Sequence, residues 1–232
     1  QMCIRDSLDA LQKMGASISV ENGYITAKVK KLKGTEILFP RKSVTGTENI
    51  IMAATLAKGT TTIKNAASEP EISDLCLFLN KMGAKISGFG SDKVTIEGVD
   101  SLKGTRHKPL PDRIEAGTFL IAAAASLSSI TVSPVIPQHL EAVLDKLKES
   151  GSVISIKGNA ISISTKSIKA TNIETAPFPG FPTDLQAPFT ALMSIADGES
   201  RISETIFEKR MSHVDLLNEM GASIKAVSYT HL

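Results

Sequence analysis

A short polar segment, residues 41–49, has the composition of an anion-binding loop. It places two cations, Arg41 and Lys42, and three hydroxyl residues directly before a helical pattern. Backbone N–H groups, the helix dipole and charge-assisted hydrogen bonds could together hold a phosphate group there. The alternative is an ordinary helix start, because Thr45 and Glu48 have the spacing of a capping box. The spacing by itself favours the helix start, and a Walker loop is excluded because its glycine–lysine spacing is absent.

A proline-rich loop at residues 177–182 is the second candidate. It holds three prolines in six residues and delivers Asp184 to the first turn of a predicted helix. A carboxylate held rigidly at such a junction could act as a general base. The alternative is that Thr183 caps the helix while Asp184 complements the helix dipole, and first-turn acids are common enough that the spacing favours it.

Two further groups of reactive residues receive the simpler interpretation. Residues 204–210 join a strand to a helix, and their charges could line a cleft, but a charge run is usually a solvated face. Cys76 lies between two leucines on an apolar helix, which predicts a core residue rather than a nucleophile. The four histidines show no zinc spacing, so no metal site is expected.

An internal repeat must position these residues. Four similar eight-residue segments, 11–18, 79–86, 147–154 and 217–224, each contain a glycine at the fifth position, and these glycines are 68, 68 and 70 residues apart: Gly15, Gly83, Gly151 and Gly221. Each follows an apolar i, i+4 pattern, which predicts a helix closed by a C′ glycine. Hairpins are predicted after the first and third glycines, at 17–20 with 24–29 and 153–156 with 160–164.

The second half of the unit also recurs. Alanine-rich helices are predicted at 49–57, 117–127 and 185–195. Short strands follow at 61–63, 130–132 and 201–202, and the next helices begin near Glu71, Gln138 and Met211. This order of elements predicts an α/β fold with helices packed against sheet. The proline-rich stretch 109–111 is the predicted boundary between domains at 8–110 and 111–226.

Composition limits the classes of partner. The chain has 232 residues, a net charge of +2 and ten aromatic residues without tryptophan, which argues against a nucleic-acid partner. The longest largely apolar run is about half of a membrane span, so no membrane partner is expected. Two cysteines do not make a disulfide scaffold, and we expect a cytoplasmic protein without an obligate protein partner.

The two ends of the chain are related through their codons. Met-Cys-Ile-Arg-Asp, at residues 2–6, can be encoded as ATG TGT ATA AGA GAC, whose reverse complement translates as Val-Ser-Tyr-Thr-His, residues 227–231. We therefore interpret residues 1–7 and 227–232 as translated sequencing adapter and exclude them from the fold. The remaining residues, 8–226, are expected to be an internal part of a longer parent protein.

Five segments, in order along the chain, resemble the UDP-N-acetylglucosamine enolpyruvyl transferase family: 43–49, 65–72, 110–118, 181–187 and 204–210. The resemblance implies an inverted α/β barrel of two lobes, each built from three repeats of about 70 residues, the period found above. Both lobes would be incomplete here. It also implies transfer of the enolpyruvyl group of phosphoenolpyruvate to the sugar 3-hydroxyl, with release of phosphate and without metal or cofactor, in the first committed step of peptidoglycan synthesis.

The resemblance assigns roles to individual residues. The loop that holds the nucleotide-sugar diphosphate is matched by Arg41, Lys42, Ser43 and Val44. Asp184 matches the general base at the 3-hydroxyl, and Ile206 matches a residue whose main chain contacts the sugar amide group. The family's reactive-cysteine loop and phosphoenolpyruvate-binding arginines lie outside this chain, so the chain by itself is expected to be inactive.

Two other functions stay open from the sequence. The sister 3-phosphoshikimate 1-carboxyvinyltransferase shares the barrel and the donor, but the five segments match the nucleotide-sugar branch. A non-catalytic binding module built from the same repeats is the alternative from another class.

Overall fold

Helices packed on small sheets form each of two units, and the chain passes from one unit to the other between Leu110 and Pro111. The computed structural model describes residues 2–227. Between Met2 and Val227, none of the helices combines the length and the apolar character needed to cross a membrane.

The first unit contains one parallel strand pair extended by an antiparallel hairpin. Its elements are α1 (Met2–Lys13), β1 (Ser17–Glu21), β2 (Tyr24–Lys28), β3 (Glu36–Leu38), α2 (Val44–Ala54), β4 (Thr60–Lys64), α3 (Pro70–Lys81), β5 (Lys85–Ser87) and β6 (Lys93–Glu97). The strand order is β3-β4-β6-β5, with β3 parallel to β4 and the other pairs antiparallel. Strands β1 and β2 form a separate antiparallel hairpin.

The core of the first unit lies between this sheet and helices α2 and α3. Alternate residues of β4 and β6 are buried, as expected for strands with one covered face. Ile50 and Ile51 of α2 and Cys76 of α3 are fully buried in the same cluster. The sequence therefore predicted Cys76 correctly as a core residue.

The second unit also contains antiparallel strands and one parallel strand pair, but in separate sheets. Its elements are α4 (Arg113–Ala125), β7 (Ser129–Val132), a 3₁₀ turn (Pro137–Leu140), α5 (Glu141–Glu149), β8 (Val153–Lys157), β9 (Ala160–Ser164), β10 (Ile173–Glu174), a 3₁₀ turn (Thr183–Leu185), α6 (Gln186–Met193), β11 (Ile202–Ser203) and α7 (His213–Glu219). Strands β7-β9-β8 form an antiparallel sheet, whereas β10 and β11 pair in parallel. The order strand, helix, parallel strand is thus shared by β3-α2-β4 and β10-α6-β11.

Close packing positions the 3₁₀ turn that carries Asp184. Gly117 of α4 faces the Leu185 side chain, and a Cβ atom on Gly117 would overlap it. Leu185 is fully buried in the core of the second unit. The missing side chain at residue 117 therefore lets α4 and this turn approach each other closely.

The repeat glycines end their helices as predicted. Their φ angles are 97°, 103°, 102° and 101°, in the left-handed region that favours glycine, at Gly15, Gly83, Gly151 and Gly221. The two predicted hairpins are also confirmed, as β1 with β2 and β8 with β9.

Several predicted boundaries are wrong. Helix α2 begins at Val44 and ends at Ala54, earlier than the predicted 49–57, and α4 spans Arg113–Ala125 rather than the predicted 117–127. Strand β3 was not predicted because three residues are too few to show an alternating pattern.

Of the two terminal segments that we interpret as translated adapter, only residues 2–7 form a helix in the described part of the chain. Residues 2–7 are helical, and α1 continues through Leu8 without a break. Val227 lies outside the helices and strands, and residues 1 and 228–232 lie outside the described part of the chain.

Candidate functional site

Every residue assigned a role by the resemblance lies beyond the carboxyl end of a strand in a parallel pair. Residues 41–44 follow β3, Asp184 lies between β10 and α6, and Ile206 follows β11. In α/β sheets, ligands bind preferentially outside the carboxyl ends of the strands. Residues 41–44 of the first unit and Asp184 of the second thus lie at equivalent positions of the repeat, between the first strand of a parallel pair and the helix that follows it, whereas Ile206 follows the second strand of its pair.

The predicted anion-binding segment forms the start of α2, and its cap is Ser43. The Ser43 hydroxyl accepts a hydrogen bond from the Gly46 N–H at 3.2 Å, and the Ser43 carbonyl accepts one from the Thr47 N–H at 2.9 Å. The predicted capping box of Thr45 and Glu48 is therefore wrong. Because the helix already begins at Val44, Thr45 lies inside the first turn and cannot cap it.

Gly46 allows this cap to form. A Cβ atom at this residue would lie 2.7 Å from the Ser43 hydroxyl oxygen and 3.3 Å from a ring carbon of Phe39. Both neighbours precede the helix, so the first turn packs directly against the first and last residues of the loop that joins β3 to α2. A side chain at residue 46 would push the capping hydroxyl away.

The two cations of this segment have different surroundings. Arg41 is exposed, whereas Lys42 is half-buried and its ammonium donates a hydrogen bond to the Ala66 carbonyl at 3.2 Å. The neighbouring Asn65 has a φ of 55° and donates from Nδ2 to the Phe39 carbonyl at 3.0 Å. The loop after β4 is thereby fastened to the loop after β3, and Arg41 is the more accessible of the two cations.

An acidic group lies beside the same helix start. Burial of the Glu48 carboxyl, followed by repulsion from Glu71 and Glu69, raises the pKa of Glu48 above its usual value. A partly buried carboxyl near like charges is harder to ionise than one in water.

In the second unit, the 3₁₀ turn presents the Asp184 carboxylate to solvent. The side chain is 54% exposed, and its Oδ1 accepts a hydrogen bond from Nη2 of Arg210 at 2.6 Å. Pro182, not Thr183, is the residue that precedes the turn, and α6 has no side-chain cap. The alternative interpretation of Thr183 as a helix cap is therefore wrong.

The Thr183 hydroxyl instead links Arg210 to Glu204. It accepts from Nη1 of Arg210 at 3.0 Å and donates to Oε2 of Glu204 at 2.8 Å. The other carboxylate oxygen of Glu204 accepts from the N–H groups of Ile206 at 2.8 Å and Phe207 at 3.0 Å. The interpretation of residues 204–210 as a solvated charge run is therefore wrong for Glu204 and Arg210.

This arrangement determines what Ile206 can offer to a ligand. Ile206 is half-buried, and its N–H is already bonded to Glu204. A main-chain contact from Ile206 to an amide group would therefore use its carbonyl oxygen as acceptor.

The sequence offers no signal for Thr175, and the favoured interpretation of residues 204–210 as a solvated face leaves Glu204 and Arg210 out of the site. Thr175 donates from its hydroxyl to Glu204 at 3.1 Å, and its hydroxyl oxygen accepts from the Thr205 N–H at 2.9 Å. The hydrogen bonds of the site, from Thr183–Glu204 to Thr175–Thr205, join residues that are 21 to 30 positions apart. Local spacing carries no signal for such pairs, although the parallel pairing of β10 and β11, had it been predicted, would have brought the two loops together. Among residues 2–227, no group of three or more histidine, cysteine or acidic side chains could hold a metal ion.

Comparisons with known proteins identify relatives of the whole chain. A family model described as EPSP synthase (3-phosphoshikimate 1-carboxyvinyltransferase) matches residues 3–230. UDP-N-acetylglucosamine 1-carboxyvinyltransferase from Prochlorococcus marinus strain AS9601 is 63% identical over 226 residues, which cover 96% of this chain and 50% of that protein. The protein of the same name from Hydrogenovibrio crunogenus strain DSM 25203 / XCL-2 is 52% identical over 219 residues, covering 94% and 52%. The chain thus spans about half the length of the curated relatives it matches.

Solved structures show the fold. The enolpyruvyl transferase NikO from Streptomyces tendae has a TM-score of 0.79 at 20% identity, covering 92% of this chain and 54% of that one. EPSP synthase from Acinetobacter baumannii has a TM-score of 0.54 at 22% identity, covering 86% and 48%. The predicted α/β fold of the enolpyruvyl transferase type is confirmed by these similarities.

Proposed function

The chain belongs to the EPSP synthase (3-phosphoshikimate 1-carboxyvinyltransferase) family, and from this premise we propose that its full-length parent transfers the enolpyruvyl group of phosphoenolpyruvate to the 3-hydroxyl of UDP-N-acetylglucosamine. The observation that carries the choice of acceptor is the 63% identity, over 96% of this chain, to a protein named for that acceptor. The full-length parent here means the complete polypeptide that contains this chain.

The proposed reaction requires a base. In the addition step, the 3-hydroxyl oxygen bonds to C2 of phosphoenolpyruvate, the hydroxyl proton goes to the base, and the C2–C3 double bond opens as C3 takes a proton from an acid group of the full-length parent. In the elimination step, C3 gives a proton back to an acid–base group of the parent, the double bond forms again, and the bond from C2 to the phosphate oxygen breaks, so that inorganic phosphate leaves with the proton that the base had taken. The base must therefore lie within hydrogen-bond reach of the acceptor hydroxyl.

Asp184 is the proposed base. Its carboxylate is exposed, and Arg210 holds one of its oxygens, Oδ1, at 2.6 Å. The prolines at 177, 179 and 182 restrict the backbone that leads to it. The second oxygen, Oδ2, is the atom we assign to the proton of the 3-hydroxyl.

Arg41, Lys42, Ser43 and Val44 are the proposed diphosphate-binding residues. The exposed guanidinium of Arg41 supplies an accessible positive charge, and the start of α2 adds the positive end of its dipole. We further propose that the Ile206 carbonyl accepts from the sugar amide N–H, because the Ile206 N–H is bonded to Glu204. The two substrates are the only partners in this proposal, which includes no cofactor, nucleic acid, membrane or obligate protein partner.

The cellular role follows from the reaction. We assign the parent to peptidoglycan synthesis in the cytoplasm, and hence to cell shape and division. Residues 8–110 and 111–226 are proposed to be parts of its first and second lobes. Because the chain spans about half the length of its relatives, we propose that the chain alone does not catalyse the transfer.

The test compares two acceptors with the purified full-length parent. Phosphate release from phosphoenolpyruvate is measured with UDP-N-acetylglucosamine and, separately, with shikimate 3-phosphate. We expect release only with the nucleotide sugar. Release with shikimate 3-phosphate would favour the sister reaction, the activity named in the family description, and release with neither acceptor would favour a binding module.

A further inference from the structure

We propose that Asp74 of α3 fastens the segment that leads to the second unit, and that this contact strengthens binding of the nucleotide sugar by keeping the flexible connection between the units short. We call this segment, residues 103–110, the strap. The effect on binding rests on the proposed function, in which one substrate contacts residues of both units. Asp74 is a positioning residue in this account, because it is assigned no contact with the substrate.

The strap lies along α3 and runs against its direction. Asp74, Phe78 and Met82 recur at intervals of four residues, so they lie on one face of the helix and its C-terminal end. The Lys103 N–H donates to the Met82 carbonyl at 2.8 Å. Further along the strap, the His107 ring centre lies 5.1 Å from that of Phe78. The strap thus passes from the end of α3 towards its beginning, where Asp74 lies.

Asp74 holds the strap at two points. Its Oδ1 lies 2.9 Å from Nε2 of His107, and its Oδ2 accepts from the Leu110 N–H at 3.3 Å. Because a carboxylate only accepts, Nε2 of His107 is the donor of the first bond. The side chains of His107 and Asp74 are 12% and 18% exposed, so water competes little for this contact.

The rest of the strap depends on these two points. His107 and Leu110 are the half-buried residues of the strap, and its other six residues are exposed. Within the Pro-Leu-Pro stretch at 109–111, Leu110 has the one backbone N–H, since proline has none. Asp74 accepts from that N–H. Loss of the Asp74 carboxylate therefore removes the hydrogen bonds that hold the second half of the strap.

These bonds determine the length of the flexible connection. Asp112 caps α4 through its side chain and so anchors the start of the second unit. With the strap held, Pro111 is the single residue between the anchored Leu110 and Asp112. With the strap released, the preceding hydrogen bond to α3 is that of the Lys103 N–H, and residues 104–111 form the connection.

A short connection favours the binding of one ligand by two units. Residues 41–44 belong to the first unit, whereas Asp184 and Ile206 belong to the second. The effective concentration of one set at the other falls roughly as the −3/2 power of the length of a flexible connection. Lengthening the connection from one residue to the eight residues 104–111 therefore lowers it by up to about 20-fold.

Trypsin cleavage of the full-length parent, without ligand, tests the strap itself. The bond after Arg106 lies in the strap, and a protease cuts a held segment only when that segment opens. Asp74→Asn keeps the size of the side chain but has one acceptor oxygen instead of two, so one hydrogen bond is lost. A hydrogen bond to a charged group changes an equilibrium by about 10- to 100-fold, and cleavage at Arg106 should rise by that factor. Asp145→Asn, which alters an exposed ion pair on α5, is the matched control and should keep the wild-type rate.

Steady-state kinetics of the same preparations test the effect on binding. Asp74→Asn should raise the KM for UDP-N-acetylglucosamine by about 3- to 20-fold and change kcat little. A merely structural defect would instead lower kcat with the fraction of folded enzyme and leave KM unchanged. His107→Phe keeps a ring beside Phe78 but removes the donor to Asp74, and it should raise both the cleavage rate and KM. It decides the question if Asp74→Asn does not fold by circular dichroism.

The outcomes are distinct. Wild-type cleavage at Arg106 in both Asp74→Asn and His107→Phe overturns the role of Asp74 in holding the strap. Faster cleavage with a wild-type KM overturns the effect on substrate binding. A wild-type parent that does not use UDP-N-acetylglucosamine overturns the proposed function and the effect on binding with it, whereas the cleavage rates still decide whether Asp74 holds the strap.

Discussion

Replacing Asp184 by asparagine changes one atom type and separates chemistry from folding. The amide keeps the size of the side chain and has an oxygen that can accept the hydrogen bond from Nη2 of Arg210. In the wild-type chain this bond joins Nη2 to Oδ1 of Asp184 at 2.6 Å. It cannot take a proton from a hydroxyl as a carboxylate does. In the full-length parent, we therefore expect kcat to fall by about 10²- to 10⁴-fold, the usual contribution of a positioned base.

The two energetic effects of this substitution differ in size. A loss of about 10²- to 10⁴-fold corresponds to roughly 2.7–5.5 kcal/mol of activation free energy. The ion pair that is weakened joins side chains that are 54% and 37% exposed. Such pairs contribute about 0.2–1 kcal/mol to the free energy of unfolding, so the effect on rate should exceed the effect on stability several times over.

Steady-state kinetics and thermal unfolding of the same preparations measure both quantities. Asp145→Asn is the matched control, because Asp145 also forms an exposed ion pair, with Lys148 at 2.9 Å, and lies on α5 outside the candidate site. It should alter stability by a similar small amount and leave kcat unchanged. Near-normal kcat in Asp184→Asn, or loss of folding by circular dichroism, would contradict the role of Asp184 as base.

Three other predictions concern the first unit. Gly46→Ala should lower the melting temperature, since displacing the Ser43 cap and crowding the turn cost about 2–4 kcal/mol, only partly offset by a gain of about 1 kcal/mol in helix propensity. Gly104→Ala, with open space around its Cβ and an ordinary φ, should change the melting temperature little; equal shifts would contradict the crowding argument. Glu48→Gln should stabilise the protein near pH 7. The pKa of Glu48 is raised in the folded state, so this carboxyl favours folding only at low pH, and its contribution to stability is lost as the pH rises through that pKa. The difference in melting temperature between variant and wild type should therefore disappear near pH 3, and a difference that grows with acid would contradict the raised pKa. Burial raises the pKa of Cys76 to about 12, so iodoacetamide at pH 8 should label this thiol only after unfolding. Mass spectrometry of the tryptic peptide measures the labelling, and rapid labelling of the folded protein would contradict burial of the thiol.

The repeat and its helix ends could be predicted from the sequence because their causes are local. A left-handed residue after a helix strongly favours glycine, so four glycines at a regular spacing mark four helix ends. The hairpins at β1–β2 and β8–β9 likewise follow from alternation around short turns.

The contacts of the candidate site could not be predicted because their causes are distant in sequence. The choice of Ser43 over Thr45 as cap depends on the packing of the loop after β3, which Gly46 permits. The link from Arg210 through Thr183 to Glu204 depends on parallel pairing of two-residue strands, which are too short for a periodic signal. A charge run and a threonine before a helix therefore suggested separate local roles, whereas the fold joins them.

A crystal structure of the full-length parent with UDP-N-acetylglucosamine tests the central assignment most directly. We expect the Asp184 carboxylate to lie within about 2.6–3.2 Å of the sugar 3-hydroxyl, the reach of a base that accepts its proton. We also expect the diphosphate at residues 41–44 and the sugar amide at the Ile206 carbonyl. A bound nucleotide sugar whose 3-hydroxyl lies out of reach of Asp184, with the carboxylate paired to Arg210 alone, would contradict the role of Asp184 as base.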